Sequence, residues 1–236
     1  MKFKHVFLIG VGGTGSHLVG PLVQLMRFHP EGTNDITLID GDEYEETNAK
    51  RQVFEEGSVG KNKAVATAER LGGKTIRAIP EFIDEEKFSK LLASRVSKDD
   101  TFLVIPAVDN NATRKATLDV LENENYTNFW WISPGNSYDK GQVVLHVKED
   151  GEALTINPTR KCPRLADPED VIPAADGCTR HINSAPQLIT ANYIAAGATL
   201  AVISNVLDEK GWFEEMHFNC RKVKMVPQGT IRGVLV

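Results

Sequence analysis

The chain has 236 residues, 41% hydrophobic and 25% charged, an ordinary balance for a soluble globular protein and enough length for one large domain. A formal net charge of −5 argues against non-specific nucleic-acid binding, and no stretch reads as long and apolar enough to span a membrane. Three widely spaced cysteines form no disulfide framework, and the apolar run after Met1-Lys2-Phe3-Lys4-His5 is too short for a signal peptide, so a cytoplasmic protein is expected.

Residues 5–10 read as a buried strand, Val6-Phe7-Leu8-Ile9, that runs into Gly10-Val11-Gly12-Gly13-Thr14-Gly15-Ser16. Closely spaced glycines between a strand and a helix let the backbone turn sharply and offer helix N–H groups to an anion, a phosphate cradle open to NAD, FAD or ATP. A helix follows over 14–28, with Leu18, Leu22, Leu25 and Met26 on one face, then a loop marked by Pro30 and Gly32. Ile36-Thr37-Leu38-Ile39 is a second strand that ends at Asp40-Gly41-Asp42. The pattern continues as a helix over about 60–71, a strand near 75–79, a helix over 84–96, a strand over 101–105, a helix from Asn111 to about Glu122 and a strand over 129–133. This alternation predicts a parallel sheet covered on both faces.

The second half changes character. Gln142–Val147 and Ala153–Ile156 flank Glu149-Asp150-Gly151 as a hairpin. Residues 158–186 hold five prolines and little periodicity, a long loop of the kind that carries function. Residues 187–207 form an apolar, buried helix, and Met216–Val226 and Thr230–Val236 a last pair of strands about Pro227-Gln228-Gly229. The fold expected is α/β, a Rossmann-like, doubly wound and mainly parallel sheet extended by antiparallel C-terminal strands. It is read as a single domain over 1–236, with a nucleotide-binding half at 1–135 and the hairpin, crossover loop and last strands at 136–236.

Polar residues follow the strands where such a sheet opens its ligand edge. A carboxylate at Asp40 or Asp42 suits ribose hydroxyls. Asn48, Arg51 and Gln52 lie in Glu45-Glu46-Thr47-Asn48-Ala49-Lys50-Arg51-Gln52. An arginine there is not needed for NAD but suits chemistry at phosphorus, where charge grows on phosphate oxygens. Val59-Gly60-Lys61-Asn62-Lys63-Ala64 places two lysines at the mouth of a helix. Asp109 and Asn110 follow the buried strand 101–105. Asp109 suits Mg²⁺, since Asn111 can serve as the helix cap. Tyr44, Glu45 and Glu46 are expected to face solvent, Trp130 and Trp131 to be core, and the histidines His5, His17, His29, His146 and His217 show no metal-like spacing.

Together these residues resemble the ThiF/MoeB/HesA family, adenylyltransferases related to the ubiquitin-activating enzyme. The resemblance rests on Gly10 to Ser16, Asp40-Gly41-Asp42, Thr47-Asn48 with Arg51-Gln52, Val59 to Ala64, and Val108-Asp109-Asn110 with Arg114, and is close over about residues 5–135. It implies an enzyme that uses MgATP to adenylate the C-terminal carboxylate of a small ubiquitin-like or sulfur-carrier protein, with release of pyrophosphate. By that resemblance Asp40 holds the ribose, Asn48, Arg51 and Lys63 contact phosphates, and Asp109 binds Mg²⁺. Gly10, Gly12, Gly13, Gly15, Asp42, Gln52 and Asn110 complete the nucleotide site. The resemblance also implies a homodimer. Other readings are adenylation of a peptide or tRNA carboxylate, a non-catalytic nucleotide-binding relative and, last, an NAD(P)-dependent oxidoreductase.

Cys178, in Asp176-Gly177-Cys178-Thr179-Arg180-His181, stands shortly before the long apolar helix, where family members carry an active-site cysteine. Arg180 and His181 would lower its pKa and favour the thiolate. The paired Cys-x-x-Cys motifs of many relatives are missing, so no structural zinc is expected; Cys162 has no partner at the right spacing and Cys220 is read as core within a strand. The first five residues hold no arginine, a second departure from relatives that reach a neighbouring ATP with one. A third is the gap of thirty residues from Gly10 to Asp40, against about 20 in an NAD fingerprint.

Overall fold

A computed structural model describes residues 2–53, 55–72, 75–173 and 187–232. Its centre is a nine-stranded mixed sheet in the order β3-β2-β1-β4-β5-β6-β8-β9, with β7 paired to β6. The strands are β1 (His5–Ile9), β2 (Ile36–Ile39), β3 (Ile76–Ile79), β4 (Phe102–Pro106), β5 (Phe129–Asn136), β6 (Lys140–Glu149), β7 (Glu152–Ala153), β8 (Trp212–Asn219) and β9 (Lys224–Arg232). β3 to β5 run parallel, whereas β5–β6, β6–β8 and β8–β9 pair antiparallel. The expected Rossmann-like sheet with antiparallel C-terminal strands is the fold observed.

The helices are α1 (Gly13–Phe28), α2 (Lys63–Arg70), α3 (Glu85–Ala93), α4 (Asn111–Asn123), α5 (Pro163–Ala166) and α6 (Ile189–Leu207), with 3-10 turns at Glu46–Lys50 and Pro158–Arg160. The central strands are apolar throughout because both faces are covered. Val6, Leu8, Leu103, Ile105 and Trp130 join the helices α1, α2 and α6 in one core. Phe7, Ile9, Phe102, Val104 and Trp131 join α3 and α4 in the other. Strand alternation thus feeds two cores from one run. Burying side chains of this size contributes about 1.5–3 kcal/mol each relative to exposure.

Several expectations change. The helix expected over 60–71 is confined to Lys63–Arg70 and that over 84–96 to Glu85–Ala93, because Asn62 and Asp84 cap them by accepting the N–H of Val65 and Lys87. The second arm of the 142–156 hairpin is only β7, and β6 pairs mainly with β5 and β8. The last turn lies at 220–223, where Val223 adopts φ 48°, and not at Pro227. Pro227 instead sits within the edge strand β9, where a missing N–H is tolerated. Cys220 therefore opens this turn, half-buried against Ala191, Ala195 and Phe218, and is not a strand core residue. Tyr44 is buried rather than solvent-facing, its hydroxyl 3.3 Å from Thr67 Oγ1.

The α6 helix is also less buried than its sequence suggests. Ala191, Ala195 and Val202 face inward, while Ile189 and Tyr193 are exposed. By length and composition it is the one described helix apolar enough to cross a membrane, which corrects the sequence reading. Its apolarity has a local use, because it packs on α1, β5, β6 and β8 together.

Candidate functional site

The sheet reverses its strand order between β1 and β4, the point at whose C-terminal edge sheets of this kind open a ligand crevice. Gly10 leaves β1 at φ +89°, and a Cβ there would lie 2.8 Å from the Ala107 carbonyl oxygen that follows β4. A Cβ on Gly15 would lie 2.0 Å from the Gly10 oxygen, so α1 closes onto the turn only because no side chain intervenes. Its N-terminal N–H groups have no side-chain cap from Gly12.

Asp40 ends β2 against this turn. Its carboxylate accepts the Val11 N–H at 2.6 Å and the Asp42 N–H at 2.9 Å. Burial raises its pKa to about 6, against the lowering effect of Lys63 and the two backbone donors. Asn62 donates to the Asp40 and Asp42 carbonyl oxygens at 2.7 and 3.1 Å, so the loop and the start of α2 hold each other. The α2 helix opens with Lys63, whose buried ammonium meets the Asp42 carboxylate at 3.0 Å.

The 3-10 turn at 46–50 presents Arg51 and Gln52. Asn48 is buried, accepts the Glu45 N–H at 3.2 Å and shapes this turn with its side-chain oxygen. The Arg51 guanidinium reaches Gly13, where a Cβ would stand 2.9 Å from Nη1. Gln52 is buried beside Gly12, and its Oε1 has no hydrogen-bond partner among the described residues. His17 Nε2 contacts the Arg51 carbonyl oxygen at 3.0 Å and its ring stacks on Tyr193 at 4.0 Å. Burial lowers the His17 pKa, so the neutral ring donates to that oxygen.

Beyond β4, Asp109 is exposed. Asn110, rather than Asn111, caps α4 by accepting the Thr113 N–H at 2.7 Å. The reason is local: Asn110 has the extended backbone of a cap, whereas the Asn111 N–H donates to Asp170 at 2.9 Å. Arg114 is buried beneath this loop and donates to the Val108 and Pro134 carbonyl oxygens at 2.6 and 3.0 Å. No group of three metal-ligating side chains occurs among the described residues. A Mg²⁺ ion suits Asp109 on one observation: the cap is Asn110, so the Asp109 carboxylate is not spent on the helix, and Mg²⁺ needs few protein carboxylates beside phosphate.

The fold thus gathers Gly10, Gly12, Gly13, Gly15, Asp40, Asp42, Asn48, Arg51, Gln52, Lys63, Asp109 and Asn110 around one edge of the sheet, of which Asn48 and Asn110 serve the local turns. Cys178 lies outside the described residues. Sequence reading passed over His17, Asn136, Asn192 and Asp170. His17 carried a signal, since it stands one turn into the helix after the glycines. Asp170 binds the Asn111 and Ala112 N–H groups at 2.9 and 2.7 Å from a proline-rich segment with no motif.

The model of the ThiF family matches residues 1–222 of the chain. No curated protein sequence matches it. Among solved structures, PaaA superposes with a TM-score of 0.65 at 17% identity, over 97% of this chain and 64% of that one. E. coli MccB with ATP gives 0.62 at 19% identity, over 99% of this chain and 66% of that one. The microcin C7 biosynthetic enzyme MccB in complex with N-formylated MccA gives 0.60 at 19%, over 98% and 66%. The chain spans about two thirds of those proteins or slightly less, and identities this low speak for the fold alone.

Proposed function

The chain belongs to the ThiF family, and from that premise we propose that it is an ATP-dependent adenylyltransferase acting on a carboxylate. One observation carries the reading: the Arg51 guanidinium and the uncapped N-terminus of α1 meet at Gly13. The helix N-terminus suits any phosphoryl group, and the cation beside it favours chemistry at phosphorus over hydride transfer, which does not need one there. The solved MccB–ATP complex supports the same nucleotide.

In this reading the substrate carboxylate attacks the α-phosphorus, the new acyl–phosphate bond forms and the bond to the β-phosphate breaks. Pyrophosphate carries away the electron pair. Asp40 accepts from the ribose hydroxyls, which asks for its ionised form. Arg51 and Lys63 offset charge that grows on the phosphate oxygens. Asp109 would hold Mg²⁺, which when bound supplies charge neutralisation on the leaving pyrophosphate. Positioning and electrostatics account for catalysis of this kind.

The acyl substrate in our reading is the C-terminal carboxylate of a small ubiquitin-like or sulfur-carrier protein, with a peptide carboxylate as the second reading. The MccB complexes with MccA support a separate acyl partner of either kind. Cys178 would take the acyl group from the adenylate as a thioester, releasing AMP. The reading includes a homodimer in the cytoplasm, for which exposed Ile189 and Tyr193 on α6 are available apolar surface.

The test is ATP–pyrophosphate exchange with a panel of Gly-Gly-ending carrier proteins and short peptides. Exchange with one of them, lost in Arg51→Ala, is the expected result. Absence of exchange with every member, together with unchanged ATP binding by Arg51→Ala, would overturn the reading. Mass spectrometry of the adenylated product separates protein from peptide.

A further inference from the structure

Asn192 lies on α6, 179 positions after Gly13, and its side chain, like that of Arg51, comes to Gly13. A Cβ on Gly13 would stand 2.9 Å from Asn192 Oδ1 and 3.0 Å from Nδ2, and 2.9 Å from Arg51 Nη1. The Asn192 side chain is fully buried. Its Oδ1 accepts from Asn136 Nδ2 at 2.9 Å and lies 3.4 Å from the Thr14 hydroxyl. That hydroxyl donates to Asn136 Oδ1 at 3.1 Å. These contacts fix the amide and turn its NH₂ away from Asn136. Among the described residues Asn192 Nδ2 is left buried with no hydrogen-bond partner, beside the uncapped N-terminus of a 16-residue helix.

A buried amide donor without an acceptor costs about 1–3 kcal/mol in the free protein. Such a group is explained when a ligand supplies the acceptor. The acceptor must be small enough to sit over a glycine, and anionic enough to suit both a guanidinium and a helix N-terminus.

We propose that the Asn192 amide is a phosphate-binding donor of the nucleotide site, held at Gly13 by Asn136 and Thr14, together with the Arg51 guanidinium. The proposal rests on the reading of the site as an ATP site and deepens it. It assigns one wall of the phosphate cradle to α6, and so joins the C-terminal half to nucleotide recognition. Asn136 and Thr14 act through Asn192 as positioning residues.

The experiment compares ATP with adenosine by calorimetry in wild type, Asn192→Asp, Asn192→Ala and Asn136→Ala. Adenosine carries the base and ribose but no phosphate, so its affinity also reports whether each variant is folded. A hydrogen bond to a charged group predicts an ATP affinity about tenfold weaker in Asn192→Ala, and weaker still in Asn192→Asp, where a carboxylate would face phosphate. Adenosine affinity stays at the wild-type value in both. Asn136→Ala is expected to lose about threefold for ATP alone, and it decides the matter if burial of the Asn192 site keeps those variants from folding. An unchanged ATP-to-adenosine ratio in the folded variants overturns the assignment of Asn192 and leaves the ATP site standing. A wild-type protein that binds neither compound overturns the ATP site itself, and the assignment with it.

Discussion

Lys63 and Asp42 form an ion pair at the mouth of the crevice, Nζ to Oδ2 3.0 Å, with the lysine buried and the aspartate more than half exposed. The cation is therefore held in place by a carboxylate that water reaches, an arrangement easily exchanged for a phosphate. Lys63→Ala is expected to lower ATP–pyrophosphate exchange by about 10²–10³-fold, or 2.7–4 kcal/mol in the barrier, and to move the pH dependence of adenosine binding upward, because Lys63 also lowers the Asp40 pKa. Asp42→Asn should alter stability by less than about 1 kcal/mol, because half the pair is solvated. Exchange rates and urea midpoints check the two statements.

Asp40 makes nucleoside binding sensitive to pH. Its pKa, raised to about 6 by burial, means that the carboxylate protonates as pH falls through 6 and loses an acceptor for ribose. Adenosine, which has no phosphate to titrate, should bind progressively more weakly from pH 7 to pH 5. Asp40→Asn should flatten that profile. Calorimetry across this range is the measurement.

The same shift has a stability consequence of opposite sense. A carboxyl with a folded pKa of about 6 and an unfolded one of 3.8 binds more protons when folded. Stability from this group is highest at low pH, falls as pH rises from about 4 to 6, and the penalty is complete above 6. It amounts to roughly 3 kcal/mol. The difference in unfolding free energy between wild type and Asp40→Asn should move by that order in the mutant's favour between pH 4 and pH 7. Urea unfolding at the two pH values reads it.

The α4 cap separates structure from chemistry. Asn110→Ala should cost about 1 kcal/mol and Asn111→Ala much less, since only Asn110 accepts a helix N–H through its side chain. Asp109→Asn should leave the melting temperature near wild type while raising the Mg²⁺ concentration needed for half-maximal exchange. A large loss of stability in Asp109→Asn would contradict its assignment to the ion.

Two glycines on α1 should behave oppositely. Gly15→Ala places a methyl on the Gly10 carbonyl and is expected to destabilise by about 3 kcal/mol or more. Gly20 has open space where a Cβ would go, and Gly20→Ala should stabilise by about 0.8–1 kcal/mol through helix propensity. Thermal melts of both variants check the pair.

The first half of the fold was legible because each central strand is a continuous apolar run closed by polar residues, and each helix has a single inward stripe. The alternation predicted a doubly wound sheet, and the place of β4 on the far side of β1 came from the structure. Pro227 misled, since an edge strand accepts proline that a central one rejects, and sequence does not announce which strand ends the sheet. The site divided similarly. Asp40 directly follows its strand, whereas Arg51 and Lys63 stand 12 and 24 positions beyond Ile39 and were singled out by residue type and by the family resemblance. Asn192 sits in an apolar helix with no motif around it, and only the packing of α6 on α1 brings it to Gly13.

That packing has a consequence for how the molecule comes to exist. Every residue of the recognisable nucleotide motif has been synthesised by Arg114, yet the wall of the cradle on α6 arrives with Asn192. The same helix brings Ala196, Val202 and Ile203 to cover Trp130, Ile132 and Val143 on the sheet. Growing chains therefore hold an incomplete cradle for as long as that apolar face is uncovered. Closure of the core and competence to grip phosphate are one late event, and nascent or truncated chains that end before α6 should expose sticky surface without sequestering nucleotide.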